Sequence, residues 1–360
     1  MMGVGSMERK TKLINFNELR PGMVIAKNVE QGRQILLKKD FAITNSAIQK
    51  LKRTLFLDRI EVYDDMVTNE DKIERKKIKE YEKIDENFKE ISTRLQRTFR
   101  LITNPTGSTL NELKEFSERI QNEMRPSSMI IKNIVLQGSD EDSIYRHGVN
   151  VAALSALIGK WIGMEPKDIN RLIYSAILHD FGKTKIDKEI LKKNGALTTS
   201  EFEVIKTHTT LGYKMLKDVS YLDKSVLYGV VMHHEREDGS GYPLGLKGEA
   251  IHQFGKIIAI ADVFDAINSN RGYKKKKPPF EALQIVKNES LGKLNYEYSK
   301  VFIEHIVNYY LGEEAILNSG ERCKIIQMNV NNLEKPLILK KNEFIELTKE
   351  KNLYIEELVL

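Results

Sequence analysis

The sequence has little cysteine and no long apolar run, and each lack excludes a class of protein. Its 360 residues contain one cysteine, Cys323, which rules out an intramolecular disulfide framework and a site built from several thiolates. A reducing compartment is expected. No segment approaches the roughly 18 apolar residues of a membrane-spanning helix, and residues 1–20 lack the apolar core of a signal peptide. We therefore expect a cytoplasmic protein with no membrane partner.

The sequence also lacks a large excess of either positive or negative charge. The 57 lysines and arginines stand against 51 aspartates and glutamates, a net charge of +6. The excess is spread along the chain, which suits a phosphate-bearing ligand but gives no footprint of a nucleic-acid-binding protein. We find no internal repeat and no low-complexity tract. A chain of this length should hold two or three domains, at roughly 100–200 residues each.

The spacing of apolar residues divides the chain into four parts. Short runs between turn signals predict a small β-rich N-terminal domain over residues 1–68. Residues 69–108 form a charged helical linker, residues 109–315 are helical almost throughout, and residues 316–360 are a short β-rich C-terminal appendage. The predicted fold class is mainly α, a helical bundle between two small β-rich parts. The predicted strands are 15–19, 23–26, 34–37, 59–63, 324–328, 337–339 and 344–347, with a short helix over 45–55.

The linker allows two interpretations. Apolar residues at helical spacing run from Ile73 to Leu95 among many charges, so the helix could pair with a second copy and form a homodimer. The stripe is sparse for a coiled coil, and a solvated connector fits equally well. The sequence leaves both open.

Histidines and aspartates cluster in the helical part. His179 and Asp180 stand side by side at the end of an apolar run, where two groups that are costly to desolvate need compensation. We predict a helix from Pro166 to Phe181, so both fall in its last turn. Bundle cores build metal sites from facing helices, and two ions about 3.5–4 Å apart can clamp a phosphate during in-line displacement. The candidate nitrogen and oxygen ligands are His147, His179, Asp180, His208, His233, His234 and Asp262.

A structural explanation competes with each of these functional interpretations. A lone histidine is usually a satisfied core or surface residue, and we interpret His252 and His305 in that way. Lys183 follows a helix end, where a basic side chain can simply cap carbonyls. Imidazole and carboxylate ligands suit iron, manganese, zinc or nickel, so ligand type alone does not choose the metal.

Several motifs in one order resemble a known family. Residues 179–183, HDFGK, resemble the HD motif of the HD hydrolase superfamily, and residues 233–243, HHEREDGSGYP, are similar to the second signature of the HD-GYP family. His208 with Gly212, and Asp262 followed by Arg271 and Lys274, match the family pattern in order and type. The resemblance covers roughly residues 142–310.

This resemblance implies a metal-dependent phosphodiesterase that opens cyclic di-GMP to the linear dinucleotide pGpG and, in some members, carries it onward to GMP. It implies that the seven candidate ligands bind metal and that Asp180 and Lys183 are catalytic. Asp265, one helical turn from Asp262, would support a ligand or a water. The residues expected to meet the substrate are Lys183, Arg271, Lys274, Gly241, Tyr242 and Pro243.

One position departs from the family pattern. Members with three metals place a glutamate four residues before the first histidine, where this chain has Ser143. Serine is a poor metal ligand, so two divalent ions, by preference iron or manganese, are expected, and a third is left open. Two other functions stay open: a signalling module that binds a cyclic dinucleotide or a partner protein without cutting it, and a hydrolase of a mixed GMP-AMP cyclic dinucleotide.

Overall fold

The computed structural model describes twelve segments of the chain in two compact units, residues 1–86 and 87–360. Within those segments no helix combines the length and the apolar character needed to cross a membrane. The described residues are 11–15, 18–31, 34–44, 47–48, 59–63, 69–102, 107–123, 127–139, 144–193, 195–269, 278–329 and 332–359.

The first unit is a small β structure, as the sequence predicts. Strands β1 (Thr11–Asn15) and β4 (Arg59–Tyr63) pair antiparallel, and so do β2 (Val29–Gln31) and β3 (Gln34–Leu37). Its core consists of buried aliphatic side chains on both pairs and on the segments between them. They include Ile14, Leu19, Ile25, Val29, Ile43, Ile60 and Val62.

Two strand predictions in this unit are wrong. The strand predicted over 15–19 ends at Asn15 instead of beginning there, because the alternation that pairs with β4 lies before it, over 11–15. Residues 23–26 contribute two isolated bridges rather than a strand, Val24 to Ala42 and Ile25 to Val62. The helix predicted over 45–55 lies outside the described residues apart from positions 47 and 48.

The helical part confirms the mainly α class. Its central helix, α4, is buried without interruption from Arg146 to Gly159 and packs against α5 and α10. A long helix, α1, precedes it and crosses the boundary between the two units. The helices are α1 Asn69–Leu101, α2 Gly107–Glu123, α3 Ser127–Gln137, α4 Ile144–Trp161, α5 Pro166–Leu178, α6 Lys188–Leu191, α7 Thr199–Lys206, α8 His208–Leu216, α9 Lys224–Met232, α10 Gln253–Asn268, α11 Pro279–Glu289 and α12 Tyr296–Tyr310.

Helix α5 begins as expected and ends earlier than expected. Pro166 occupies its first turn, where a missing N–H costs nothing. The helix ends at Leu178, and a 3-10 helix follows over Phe181–Lys185. Gly182 explains the change of path, because a Cβ there would overlap the carbonyl oxygen of His208 and lie 2.6 Å from the backbone nitrogen of Gly212. The chain thus brings its 3-10 turn directly against α8.

The chain finishes in a five-stranded antiparallel sheet with the order β8-β7-β6-β5-β9. The sequence predicts three of these strands and misses β5 and β9. Both are four residues long and carry exposed glutamates, which weakens the apolar alternation. The strands are β5 Glu314–Leu317, β6 Arg322–Gln327, β7 Leu337–Lys340, β8 Glu343–Glu346 and β9 Ile355–Leu358.

We expect Gly182→Ala to lower the free energy of unfolding by about 1–3 kcal/mol. The new methyl group would meet backbone atoms of α8, which cannot move aside by changing rotamer. Gly292→Ala is the matched control, because a Cβ there has no heavy atom within 4 Å. Denaturant unfolding of both variants measures the difference. Equal stability of the two variants would contradict the close approach.

Candidate metal centre

The seven candidate ligands come together where several helices begin or end. His179 and Asp180 follow the last residue of α5, His233 and His234 follow the last residue of α9, and His208 is the first residue of α8. His147 and Asp262 face them from α4 and α10. The ligand atoms fall into three overlapping groups, and within each group they lie within 4.8 Å of one another: His208, His233 and His234; His147, His179 and Asp262; His179, Asp180 and His233.

Three of the imidazoles are oriented by the last turn of the helix that precedes them. In His179, His208 and His233 the Nδ1 atom lies 2.6–2.7 Å from the backbone carbonyl three residues earlier. A carbonyl only accepts, so each Nδ1 donates, and each Nε2 carries a lone pair directed into the cluster. This orientation through the remote nitrogen is typical of metal-binding histidines. The accepting carbonyls belong to Ala176, Ile205 and Val230.

His147 is oriented by a carboxylate instead. Its Nδ1 lies 2.7 Å from Oδ2 of Asp265, which is completely buried. Asp265 also accepts hydrogen bonds from Asn150 Nδ2 at 2.8 Å and Ser139 Oγ at 3.1 Å. The sequence predicts a supporting role for Asp265, and the structure places its carboxylate on His147. Asn150 and Ser139 were not anticipated, and only their position beside this carboxylate identifies them.

The far side of His147 faces a second carboxylate, with Nε2 3.1 Å from Oδ1 of Asp262. Burial opposes the charged imidazolium, but the carboxylates of Asp262 and Asp265 outweigh it and raise the pKa of His147 to about 9. Positive charge is therefore favoured at this position. A proton supplies it on the isolated chain, and a metal cation at Nε2 would supply it equally well.

Asp180 lies at the middle of the cluster. Its Oδ2 is 3.4 Å from Nε2 of His179, and its Oδ1 is 3.4 Å from Nε2 of His208. Lys183 donates a hydrogen bond to Oδ2 at 2.7 Å. Burial would raise the pKa of Asp180, but the Lys183 ammonium and His179 hold that pKa well below its usual range. The side chain is thus an ionised carboxylate with one oxygen toward each histidine, the arrangement of a bridging ligand.

The described side chains leave this cluster short of positive charge. Nε2 of His179 and Oδ1 of Asp180 are buried without a hydrogen-bond partner among them, which costs roughly 1–3 kcal/mol for each group. Nε2 of His208 lies 3.3 Å from Nε2 of His233, and both atoms carry lone pairs, so they repel. Burial lowers the pKa of His208 to about 4 and that of His233 well below its usual range. The donor set fits divalent cations, which would resolve each of these conflicts.

The Gly-Tyr-Pro segment forms a fixed wall beside the cluster. The Tyr242 ring stacks on the His234 ring at 4.6 Å between centroids, and the backbone nitrogen of Tyr242 donates to the His234 carbonyl at 3.1 Å. Gly241 passes so close to residues 234–236 that any Cβ would meet their backbone. Pro243 follows Tyr242 through a cis peptide bond. The loop therefore holds its tyrosine against a candidate ligand.

A buried glutamate anchors the same loop. Glu235 is 2% exposed, and its two carboxylate oxygens accept hydrogen bonds from the backbone nitrogens of Leu244 at 2.7 Å and Leu246 at 2.9 Å. Glu235 is not among the predicted site residues. Its position between a histidine pair and a glycine-rich loop is the signal that could have identified it, since a carboxylate there can satisfy loop N–H groups.

Three residues named in the sequence analysis lie outside the described chain, and the two histidines interpreted there as structural lie apart from the cluster. Arg271, Lys274 and Ser143 belong to segments that the structure does not describe. His252 caps α10 by accepting from the Phe254 nitrogen, and His305 stacks on Trp161 at 4.4 Å. Neither of these histidines belongs to the three ligand groups.

Residues 126–295 match the HD domain family. A cyclic di-GMP phosphodiesterase of Thermotoga maritima is 40% identical over 178 residues, which are 48% of this chain and 46% of that protein. A 3′3′-cGAMP-specific phosphodiesterase 1 of Vibrio cholerae is 34% identical over 189 residues, 52% of this chain and 43% of that protein. The chain spans about half the length of the curated relatives it matches.

A solved structure shares the fold. Bd1817, an HDG"Y"P protein from Bdellovibrio bacteriovorus, superposes with a TM-score of 0.54 at 18% identity, over 82% of this chain and 99% of that chain. At this identity the likeness concerns the fold alone. The family match and the motifs are independent of it. Residues 126–295 of this chain match the HD domain family, and the His179-Asp180 and Gly241-Tyr242-Pro243 motifs within that match resemble the signatures of its HD-GYP branch.

Proposed function

We propose that the chain is a metal-dependent phosphodiesterase that hydrolyses cyclic di-GMP to linear pGpG, with further cleavage to GMP left open. One observation carries the proposal: three histidines and one aspartate direct unsatisfied or mutually repelling ligand atoms into one buried cluster. The names of the relatives supply the substrate class. Two ions are proposed, because Asp180 lies between two sets of histidines, and iron or manganese is the preferred metal.

The side chains divide the work of the reaction. When bound, divalent cations would supply Lewis acidity and activate a water. The water oxygen attacks one phosphorus in line and loses a proton, the P–O3′ bond breaks, and O3′ takes up a proton and leaves as a hydroxyl. The chain must stabilise the charge that develops on the phosphoryl oxygens. We assign this role to Lys183, and the contact of its ammonium with Asp180 supports the assignment, as does the one fifth of its side chain that stays exposed. Tyr242 borders the cluster on the His234 side.

The same experiments also test two alternative functions. Relatives named for 3′3′-cGAMP favour a mixed GMP-AMP cyclic dinucleotide as the second candidate substrate, and competition between the two dinucleotides decides. Tight binding without a linear product would favour a signalling module instead.

Partner proteins and dimerisation through the linker remain predictions. From Phe88 to Phe99 the apolar stripe of α1 is buried in the second unit, so this part is not free to meet another copy.

We expect His179→Ala and Asp180→Ala to lose both metal and activity. His179 belongs to two of the three ligand groups, and Asp180 directs one oxygen toward His179 and the other toward His208. Metal content is measured by elemental analysis of anaerobically purified protein, and product by chromatography of a cyclic di-GMP reaction. His305→Ala is the matched control, since that histidine stacks on Trp161 and belongs to none of the groups. Hydrolysis by either ligand variant would refute the proposed centre.

Asp265→Asn should weaken metal binding about 10- to 100-fold without unfolding the protein. The amide keeps the size of the carboxylate but removes the charge that fixes His147 through Nδ1. Titration with a competing chelator gives the affinity, and circular dichroism checks the fold. Asp168→Asn, on the exposed face of α5, controls for loss of one aspartate charge. Unchanged affinity in Asp265→Asn would show that His147 does not depend on this carboxylate.

Glu235→Gln should reduce kcat/KM while leaving the metal content unchanged. A glutamine can accept from only one of the Leu244 and Leu246 nitrogens and places its own N–H₂ against the other, which costs roughly 1.5–3 kcal/mol in loop anchoring. Steady-state kinetics and metal analysis measure the two quantities separately. Glu249→Gln, exposed in the same loop, is the control. Loss of metal in Glu235→Gln would contradict a role confined to the loop.

A further inference from the structure

Beside the cluster, a second aromatic side chain is linked to Tyr242 through one cation. The ammonium of Lys206 lies over the Tyr242 ring, 5.6 Å from its centroid, and over the Phe202 ring, 5.1 Å from its centroid. Tyr242 in turn stacks on His234. A continuous series of planar or charged groups therefore leads from a candidate metal ligand out to Phe202.

Phe202 is a large apolar side chain that is exposed to solvent and does not belong to the core. It lies on α7, none of whose side chains is buried, and 45% of Phe202 is accessible to solvent. A single exposed apolar residue is ordinary. Phe202 is distinctive because Lys206 and Tyr242 connect one side of it to the candidate metal centre, while its exposed surface is open to a ligand.

The position of Phe202 is fixed despite its exposure. Helix α7 begins with a capping box in which Thr198 Oγ1 accepts from the Glu201 nitrogen and a Glu201 oxygen accepts from the Thr198 nitrogen. Lys193 also donates to both oxygens of Glu201. At its other end α7 passes through Thr207 directly into α8, whose first residue is His208. Phe202 and the candidate ligand His208 therefore lie on consecutive helices that are joined by one residue.

We propose that Phe202 is the platform on which one base of the cyclic dinucleotide stacks while its phosphate occupies the metal centre. The proposal rests on the proposed function. An anionic ligand with planar bases matches an aromatic face next to the ammonium group of Lys206. Stacking on an aromatic side chain contributes about 1–3 kcal/mol per base and tolerates any base, because each has a π face. Phe202 should therefore serve guanine and adenine alike and should not set base specificity.

The test compares Phe202→Ala, Phe202→Leu and Phe202→Trp on two substrates. Cyclic di-GMP reports on base stacking, and methyl p-nitrophenyl phosphate, which has no nucleobase, reports on the metal centre. We expect Phe202→Ala to raise KM for cyclic di-GMP about tenfold, a change that corresponds to about 1.4 kcal/mol. Phe202→Leu should be almost as poor as Phe202→Ala and Phe202→Trp at least as good as the parent. All three should cleave the small ester at the parental rate.

Phe344→Ala is the matched control, because Phe344 is 67% exposed on β8 of the C-terminal sheet. It should leave both reactions unchanged. An unaltered KM for cyclic di-GMP in Phe202→Ala would overturn the platform while leaving the proposed function intact, as would a Leu variant equal to the parent. A parent protein that cleaves the small ester but neither binds nor cleaves cyclic di-GMP would overturn the proposed substrate and the platform together.

Discussion

The candidate site depends on the orientation of imidazoles by helix-end carbonyls. An α-helix leaves its last carbonyls without internal partners. Helices α5 and α9 use one such carbonyl each, from Ala176 and Val230, to accept the Nδ1–H of a histidine that follows the helix end. The same hydrogen bond satisfies a backbone group and forces the Nε2 lone pair inward. A local requirement of helix termination thus fixes the direction of two candidate ligands.

This arrangement has an energetic cost that explains its surroundings. Directing several lone pairs and carboxylates into a buried space leaves groups that repel or lack partners, such as Nε2 of His208 and His233. The surrounding packing must hold them in place. Helix α4 is buried along fourteen consecutive residues, and the close contact at Gly182 locks the 3-10 turn against α8. A well-packed scaffold keeps the ligands together where electrostatics alone would separate them.

The sequence reveals the ligand types more readily than their supports. Histidines and aspartates among apolar helical residues are costly to bury, so their pattern predicts the seven residues that the structure brings together. Asn150 and Ser139 act through hydrogen bonds whose partners are set by tertiary packing, and no local pattern distinguishes them from ordinary polar residues. For the same reason the C-terminal strands β5 and β9 escaped prediction. Their four-residue sequences are stabilised by neighbouring strands rather than by their own propensity.

The chain from the 3-10 turn to α8 has buried ends that carry candidate ligands and an exposed middle. Both of its ends are buried and carry candidate ligands, Asp180 before it and His208 after it. The helices between them, α6 and α7, bury no side chain. Substitutions on α6 and α7 therefore leave the packing of the ligands intact, whereas substitutions at either end disturb it. The exposed side chains of α6 and α7 can differ according to the ligand that the site binds, because the buried ends fix where this part of the chain begins and ends relative to the cluster.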